Sequence, residues 1–164
     1  MVYCFQDWDY VGGHTMKILL DADGSPVRKE TVEIARQYRI PLYIISNVNH
    51  VIDEPYGKIV MVDHDPDAAD FKILSITDKD SLVITQDYGL ASLALAKEAS
   101  VLHHNGWFFS NDNMEYLLNR RHLNQKARKK GARPPSEKPR SEEQNIQFKT
   151  TLESFVKERM TPNG

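Results

Sequence analysis

An α/β fold, with a mainly parallel sheet between two layers of helices, is predicted by three observations. Short apolar runs alternate with segments of helical spacing, the pattern of βαβ units. Three of those runs end in aspartate: Lys17–Leu20 before Asp21, Ile59–Val62 before Asp63, and Ser81–Ile84 before Thr85-Gln86-Asp87. Sites in open α/β sheets form outside the carboxyl ends of the strands. No internal repeat or domain boundary is visible, and 164 residues suffice for one domain with a proper core.

Taken in order, Lys17–Asp21 is a strand that stops at Asp-Ala-Asp-Gly. Pro26 suits the first turn of a helix, where its missing N–H costs nothing. Val27, Thr31, Ile34, Ala35 and Tyr38 then recur at helical spacing. Ile40–Ser46 is the second strand, with Pro41 near its start, and Asn47–Gly57 is a loop. Ile59–Val62 is the third strand. Asp67 is the expected N-cap of a helix from Ala68 to about Thr77. Asp78-Lys79-Asp80 turns the chain into the strand Leu82–Thr85, and Gly89–Lys97 is an Ala/Leu-rich helix. Ser100–His104 is a short fifth strand. Asn111 or Asp112 is expected to cap a helix over Asn113–Lys130, closed by Gly131. Residues 133–140 hold three prolines and should be extended. Glu142–Met160 is a last amphipathic helix. Residues 1–15 are expected to be a flexible N-terminal extension. Residues 16–160 should form one domain, including a basic arm at 120–140 and the helix at 142–160.

Composition narrows the function classes. The lone cysteine, Cys4, allows no intrachain disulfide and suits a reducing compartment. The apolar runs are too short to cross a bilayer, and Met1–Thr15 lacks the basic and apolar regions of a signal peptide. The expectation is a cytoplasmic protein with no membrane partner. The net charge of −2 hides an asymmetry: Arg120–Arg140 holds nine Lys or Arg against one acid, Glu137. An acidic body with one basic segment can hold a metal at one place and a polyanion at another.

The acids are the candidate chemistry. Asp21 and Asp23 would share a side in a continuing strand, although Asp23-Gly24 also reads as turn chemistry. Asp63, Asp65, Asp67 and Asp70 are too many for one turn. Capping explains Asp67, and the helix dipole partly explains Asp70. Asp87 alone could equally be a cap. Three strand ends each presenting an acid favour a Mg²⁺ or Mn²⁺ site, because a hard cation relieves carboxylate repulsion. Such a metal can drive phosphodiester cleavage. Lys72 can meet a phosphate, though an ion pair is its more ordinary role. His64 reads as a solvent-facing loop residue more readily than as a base or ligand. Of His103 and His104, one should form a hydrogen-bonded wall near the site and the other face solvent. No zinc pattern or phosphate-binding glycine fingerprint is present. The basic segment, with Arg128, Lys129, Lys130 and Arg133 foremost, is more often a solvated face. Its prolines and charge density favour polyanion binding.

Four blocks in order carry a resemblance: Asp21-Ala22-Asp23-Gly24-Ser25-Pro26-Val27; Val62-Asp63-His64-Asp65-Pro66-Asp67-Ala68-Ala69-Asp70; Ile84-Thr85-Gln86-Asp87-Tyr88-Gly89-Leu90-Ala91; and Ala127-Arg128-Lys129-Lys130-Gly131-Ala132-Arg133-Pro134-Pro135. They resemble the YaiI/YqxD family of bacterial proteins, which is functionally uncharacterised, from Met16 to about Val156. That family is regarded as related to PIN-like nucleases. The resemblance implies a PIN-like fold and Mg²⁺- or Mn²⁺-dependent hydrolysis of RNA. Asp21, Asp70 and Asp87 would then be catalytic. Asp23, Asp65 and Asp67 are further acids of the pattern, and of these Asp23 and Asp65 are the expected additional metal ligands. Ser25, Lys72, Thr85, Arg128, Lys129, Lys130 and Arg133 would bind substrate. The family commonly has a cysteine where this chain has Ser25, so no thiol chemistry is available there. The competing expectation is a non-catalytic RNA- or ribosome-associated module whose aspartates are caps. A small-molecule phosphohydrolase is a third possibility.

Overall fold

The computed structural model describes residues 16–47, 52–132 and 138–160. The expected extension at 1–15, Arg133 and most of the proline segment lie outside them. Five parallel strands, β1 (Lys17–Asp21), β2 (Leu42–Asn47), β3 (Lys58–Val62), β4 (Ser81–Ile84) and β5 (Ser100–Leu102), form one sheet in the order β3-β2-β1-β4-β5. The helices are α1 (Arg28–Gln37), α2 (Ala68–Ile76), α3 (Tyr88–Ala96), α4 (Asn111–Lys129) and α5 (Glu142–Met160).

Alternation along the strands divides the core. Ile18, Leu20, Ile44 and Leu82 face α1 and α5, where Val32, Phe148, Leu152 and Val156 close over them. Leu19, Ile45, Val83 and Val101 face α2, α3 and α4, through Ile73, Leu90, Ala94 and Met114. The result is a three-layer α/β/α fold. β1, β2, β4 and β5 are largely buried on both faces, which is why they read as continuous apolar runs, whereas the edge strand β3 is only partly covered and Met61 is exposed. Among the described residues no helix is long and apolar enough to cross a membrane.

Several boundaries differ from expectation for local reasons. Ile40 is not in β2: its N–H donates to Ala35 O at 2.8 Å and closes α1, after Arg39 has taken a positive φ of 55°. β5 stops at Leu102 because the chain turns at once. His103 N–H bonds Trp107 O at 2.8 Å, and Phe109 N–H returns to Val101 O at 2.9 Å. The cap of α4 is Ser110, not Asn111 or Asp112. Ser110 Oγ accepts from Asn113 N–H while the Asn113 side chain accepts from Ser110 N–H, a reciprocal capping box. Asp67 occupies the N-cap position of α2, yet its side chain makes no capping bond. Asp65 Oδ1 accepts from Asp67 N–H at 3.1 Å instead.

Candidate active site at the carboxyl edge of the sheet

The strand order reverses between β1 and β4, and ligands of open α/β sheets bind at such a switch point. Leu20 pairs with Ile84, so Asp21 and Thr85 emerge side by side. Both follow the parity of Leu19 and Val83, toward α2 and α3. Thr85 Oγ1 donates to Asp21 Oδ2 at 2.9 Å and accepts from Asp87 N–H at 3.0 Å. The hydroxyl lone pair engaged by Asp87 leaves its hydrogen committed to Asp21, which fixes the carboxylate's direction.

Asp21 is largely buried, and its pKa is pushed up to about 6. Burial is the main cause, the Thr85 bond opposes it, and the charges of Asp70, Asp23 and Asp87 add to it. Asp70, in the first turn of α2, is also raised, by burial and then by Asp87 and Asp67. The switch point therefore gathers Asp21, Asp70 and Asp87 in one field. Asp87 also caps α3, its Oδ1 accepting from Leu90 N–H at 3.1 Å. The capping and site readings of Asp87 are compatible, since the cap uses only Oδ1.

Other candidates stand elsewhere. β1 ends at Asp21 and the chain turns, so Asp23 does not follow Asp21. Its carboxylate lies against the end of β2, accepting from Ser46 Oγ at 3.2 Å and from Asn47 N–H at 3.1 and 3.2 Å. Asp65 is exposed and tied to the start of its own helix. Lys72 is exposed. Ser25 Oγ accepts from Val27 N–H at 3.4 Å and lines a cavity on the α1 side. An all-oxygen donor set with unrelieved repulsion suits a hard divalent cation chemically. Among the described residues, however, no three His, Cys, Asp or Glu side chains stand close enough together to hold a metal ion.

Beside Asp87 lies a cleft of about 430 Å³ between the β4–α3 junction and α4. Leu117, Arg120, Arg121, Asn124 and Arg128 line it at helical spacing, opposite Gln86 and Tyr88. None of the three arginines makes an ion pair among the described residues. Of the expected basic arm, Arg120, Arg121 and Arg128 line this cleft, while Arg133 lies outside the described residues. Lys129 and Lys130 are exposed at the helix end. Arg120 and Arg121 belong to the expected basic arm but not to its expected substrate-binding residues, because the densest charge lies downstream at Arg128–Lys130. Their spacing from Arg128 was the available signal. Arg140 is not free to meet a polyanion, because it bonds Asn145 Oδ1 and Asn105 Oδ1 at 2.6 Å and His104 O at 2.5 Å.

His103 is buried and stacks on Trp107, with ring centroids 4.4 Å apart, and also meets Phe109, whose edge contacts Tyr88. Its Nδ1 accepts from Asn105 N–H at 3.0 Å. Burial, aided by His104 and Arg140, pushes its pKa down to about 3. It is a neutral wall residue that ties β5 to the start of α3. His104 is half-buried, not fully solvent-facing.

The sequence pattern described as an uncharacterized BCR of the YaiI/YqxD family matches residues 19–158. A UPF0178 protein of Natranaerobius thermophilus is 41% identical over 141 residues, covering 86% of this chain and 96% of its own. One of Alkaliphilus oremlandii is 39% identical over 145 residues, covering 88% and 94%. One of Bacillus cereus strain Q1 is 42% identical over 144 residues, covering 86% and 99%. No solved structure matches.

Proposed function

The chain belongs to the YaiI/YqxD family of uncharacterised bacterial proteins, and within that family we propose that it is a Mg²⁺- or Mn²⁺-dependent phosphodiesterase acting on RNA in the cytoplasm. The observation that carries this reading is the crowd of carboxylates at the strand-order switch, Asp21 with Asp70 and Asp87, beside a cleft bearing three arginines that make no ion pair among the described residues. The resemblance of the acid pattern to that of PIN-like nucleases supports the same chemistry.

Asp21, Asp70 and Asp87 would hold the cation after drawing closer together than they stand among the described residues; Asp23 has both oxygens on Asn47 N–H against β2, and Asp65 is exposed. When bound, a divalent cation supplies Lewis acidity for hydrolysis of a phosphodiester. Thr85 orients Asp21 through its committed hydroxyl. Arg120, Arg121 and Arg128 run along one face of α4 and bind successive phosphates, the guanidinium fork matching two phosphate oxygens. Tyr88 offers an aromatic edge to a base beside Asp87.

The test is Mn²⁺ binding by calorimetry at moderate salt, wild type beside Asp87→Asn, followed by a ribonuclease assay. Binding and metal-dependent cleavage by the wild type, both lost in the variant, are expected. Full cleavage by Asp87→Asn would sink the assignment.

A second reading, a non-catalytic RNA-binding module, is favoured by one observation: no three acids stand at ligand spacing among the described residues. It predicts RNA binding with steep salt dependence and no metal requirement.

A further inference from the structure

A second cavity, of about 860 Å³, opens on the other side of the β1–α1 loop, toward α1 rather than α2. Ala22, Gly24 and Ser25 form one wall, α1 another, and Ser46 and Glu54 the far side. Its size lies within the range of small-ligand sites. Its charges are not balanced. The two acids that line it are each held by a cation: Glu33 by Lys149 at 2.7 Å and Glu54 by Arg36 at 3.2 Å. Two of its cations, Arg28 and Lys29, make no ion pair among the described residues. The cavity thus carries a local positive surplus in a protein whose net charge is −2.

The donors are suited to phosphate. Ser25 Oγ already accepts from Val27 N–H, and its own hydrogen donates to nothing among the described residues. Arg28 offers a planar fork, and Lys29 a compact point charge on the next residue. Val32, Ile52 and Pro26 add apolar wall for the remainder of a ligand. Asp23 does not oppose an anion there with a loose carboxylate, because Ser46 and Asn47 hold it against β2.

We propose that the cavity lined by Ser25, Arg28 and Lys29 is a binding site for a phosphomonoester group, carried by a mononucleotide or by the phosphorylated end of an RNA. A monoester carries up to two negative charges, which matches the two cations that make no ion pair among the described residues. The site does not depend on the acid cluster, which faces the opposite layer of helices.

The test is calorimetry in EDTA, so that no divalent cation contributes. The full chain is titrated with AMP, and with an oligoribonucleotide bearing either a 5′-phosphate or a 5′-hydroxyl. The phosphorylated probes should bind, and the hydroxyl oligonucleotide at least tenfold more weakly than its phosphorylated twin. Arg28→Ala/Lys29→Ala should weaken phosphate binding by about tenfold or more, as expected for lost charge-assisted bonds. Asp21→Asn should leave it unchanged, which separates this site from the proposed metal chemistry. Binding by AMP identifies a free nucleotide as sufficient, whereas binding by the phosphorylated oligonucleotide alone identifies an RNA end. Either supports the site. No binding of any phosphorylated probe, equal binding of the two oligonucleotides, or undiminished binding by the folded double variant overturns it.

Discussion

At Asp21 burial and three neighbouring carboxylates favour the protonated form, while at His103 burial, with His104 and Arg140 nearby, favours the neutral one. The two groups therefore act on stability with opposite signs. Folded Asp21 keeps its proton up to about pH 6, whereas the unfolded chain releases it near 3.8. Its contribution is present below pH 4 and is lost as pH rises through 6. Folded His103 refuses a proton until about pH 3, whereas the unfolded chain takes one near 6.5, so its contribution is present above 6.5 and is lost as pH falls toward 3. Asp21→Asn should accordingly raise the melting temperature at pH 7, by up to about 3 kcal/mol in free energy. It should also steepen the rise of stability with pH between 4 and 6, by removing the opposing term. A melting series across that window checks both signs, and a variant less stable than wild type at pH 7 contradicts the account. Stability gained by removing an acid is the pattern of a site maintained against its own repulsion. Thr85→Val should free Asp21 from its oriented bond and leave Asp87 N–H without its hydroxyl partner, weakening Mn²⁺ binding without removing any carboxylate.

At the scale of elements, α4 carries two different jobs along its length. Its start is fixed by the Ser110–Asn113 box, so Ser110→Ala should cost about 0.5–2 kcal/mol in denaturant melts. Its middle turns Arg120, Arg121 and Arg128 toward the cleft beside Asp87. Replacing Arg120 and Arg121 with Ala should weaken RNA binding and reduce the slope of log affinity against log salt by about one per lost phosphate contact. Replacing Lys129 and Lys130, which lie off that face, should do less. A larger effect from the lysines would move the polyanion surface to the end of the helix and favour the non-catalytic reading. The end of α4 is closed by Gly131 at φ +82°, with Gly131 and Ala132 N–H returning to Arg128 and Ala127 carbonyls.

Across the whole molecule, α5 is the element that joins distant parts of the chain. It packs on α1 and buries Phe148, Leu152 and Val156 completely. Thr151 Oγ1 donates to Gly106 O at 3.0 Å, which pins the turn after β5. Gly106 has φ +85°, and a Cβ there would meet the backbone at Gln147 and Phe148 at 3.0 Å. Gly106→Ala should destabilise the fold by about 1–3 kcal/mol, through the left-handed backbone and the crowding of α5 together. Phe148→Ala should cost about 3–5 kcal/mol. Equilibrium unfolding measures both, and a neutral Gly106→Ala would show that α5 docks more loosely than the contact distances state.

The order and type of the elements were legible because each depends on nearby residues: apolar runs, helical spacing, and turn residues between them. That was enough for the α/β class, for the two faces of the sheet, and for Asp21 and Asp87 at strand ends. Boundaries slipped where a local bond outcompeted the pattern, as with Ile40 closing α1 or Ser110 capping α4 ahead of two plausible neighbours. The grouping of the acids was not legible from spacing and periodicity, and only the family resemblance set Asp21 with Asp70 and Asp87. Parity alone put Asp21 and Asp23 together, yet the chain turns after β1, and β2 supplies the Asn47 N–H and the Ser46 hydroxyl that draw Asp23 away. Asp70 and Asp87 reach Asp21 only because β4 lies next to β1 and the layer of α2 and α3 covers that edge. Which arginines face the site, and that Arg140 does not, also depend on how α4 and α5 pack. Local chemistry sets each residue's conformational preferences, whereas the meeting of residues far apart in the chain is set by strand order and layer packing, which no short window of sequence contains.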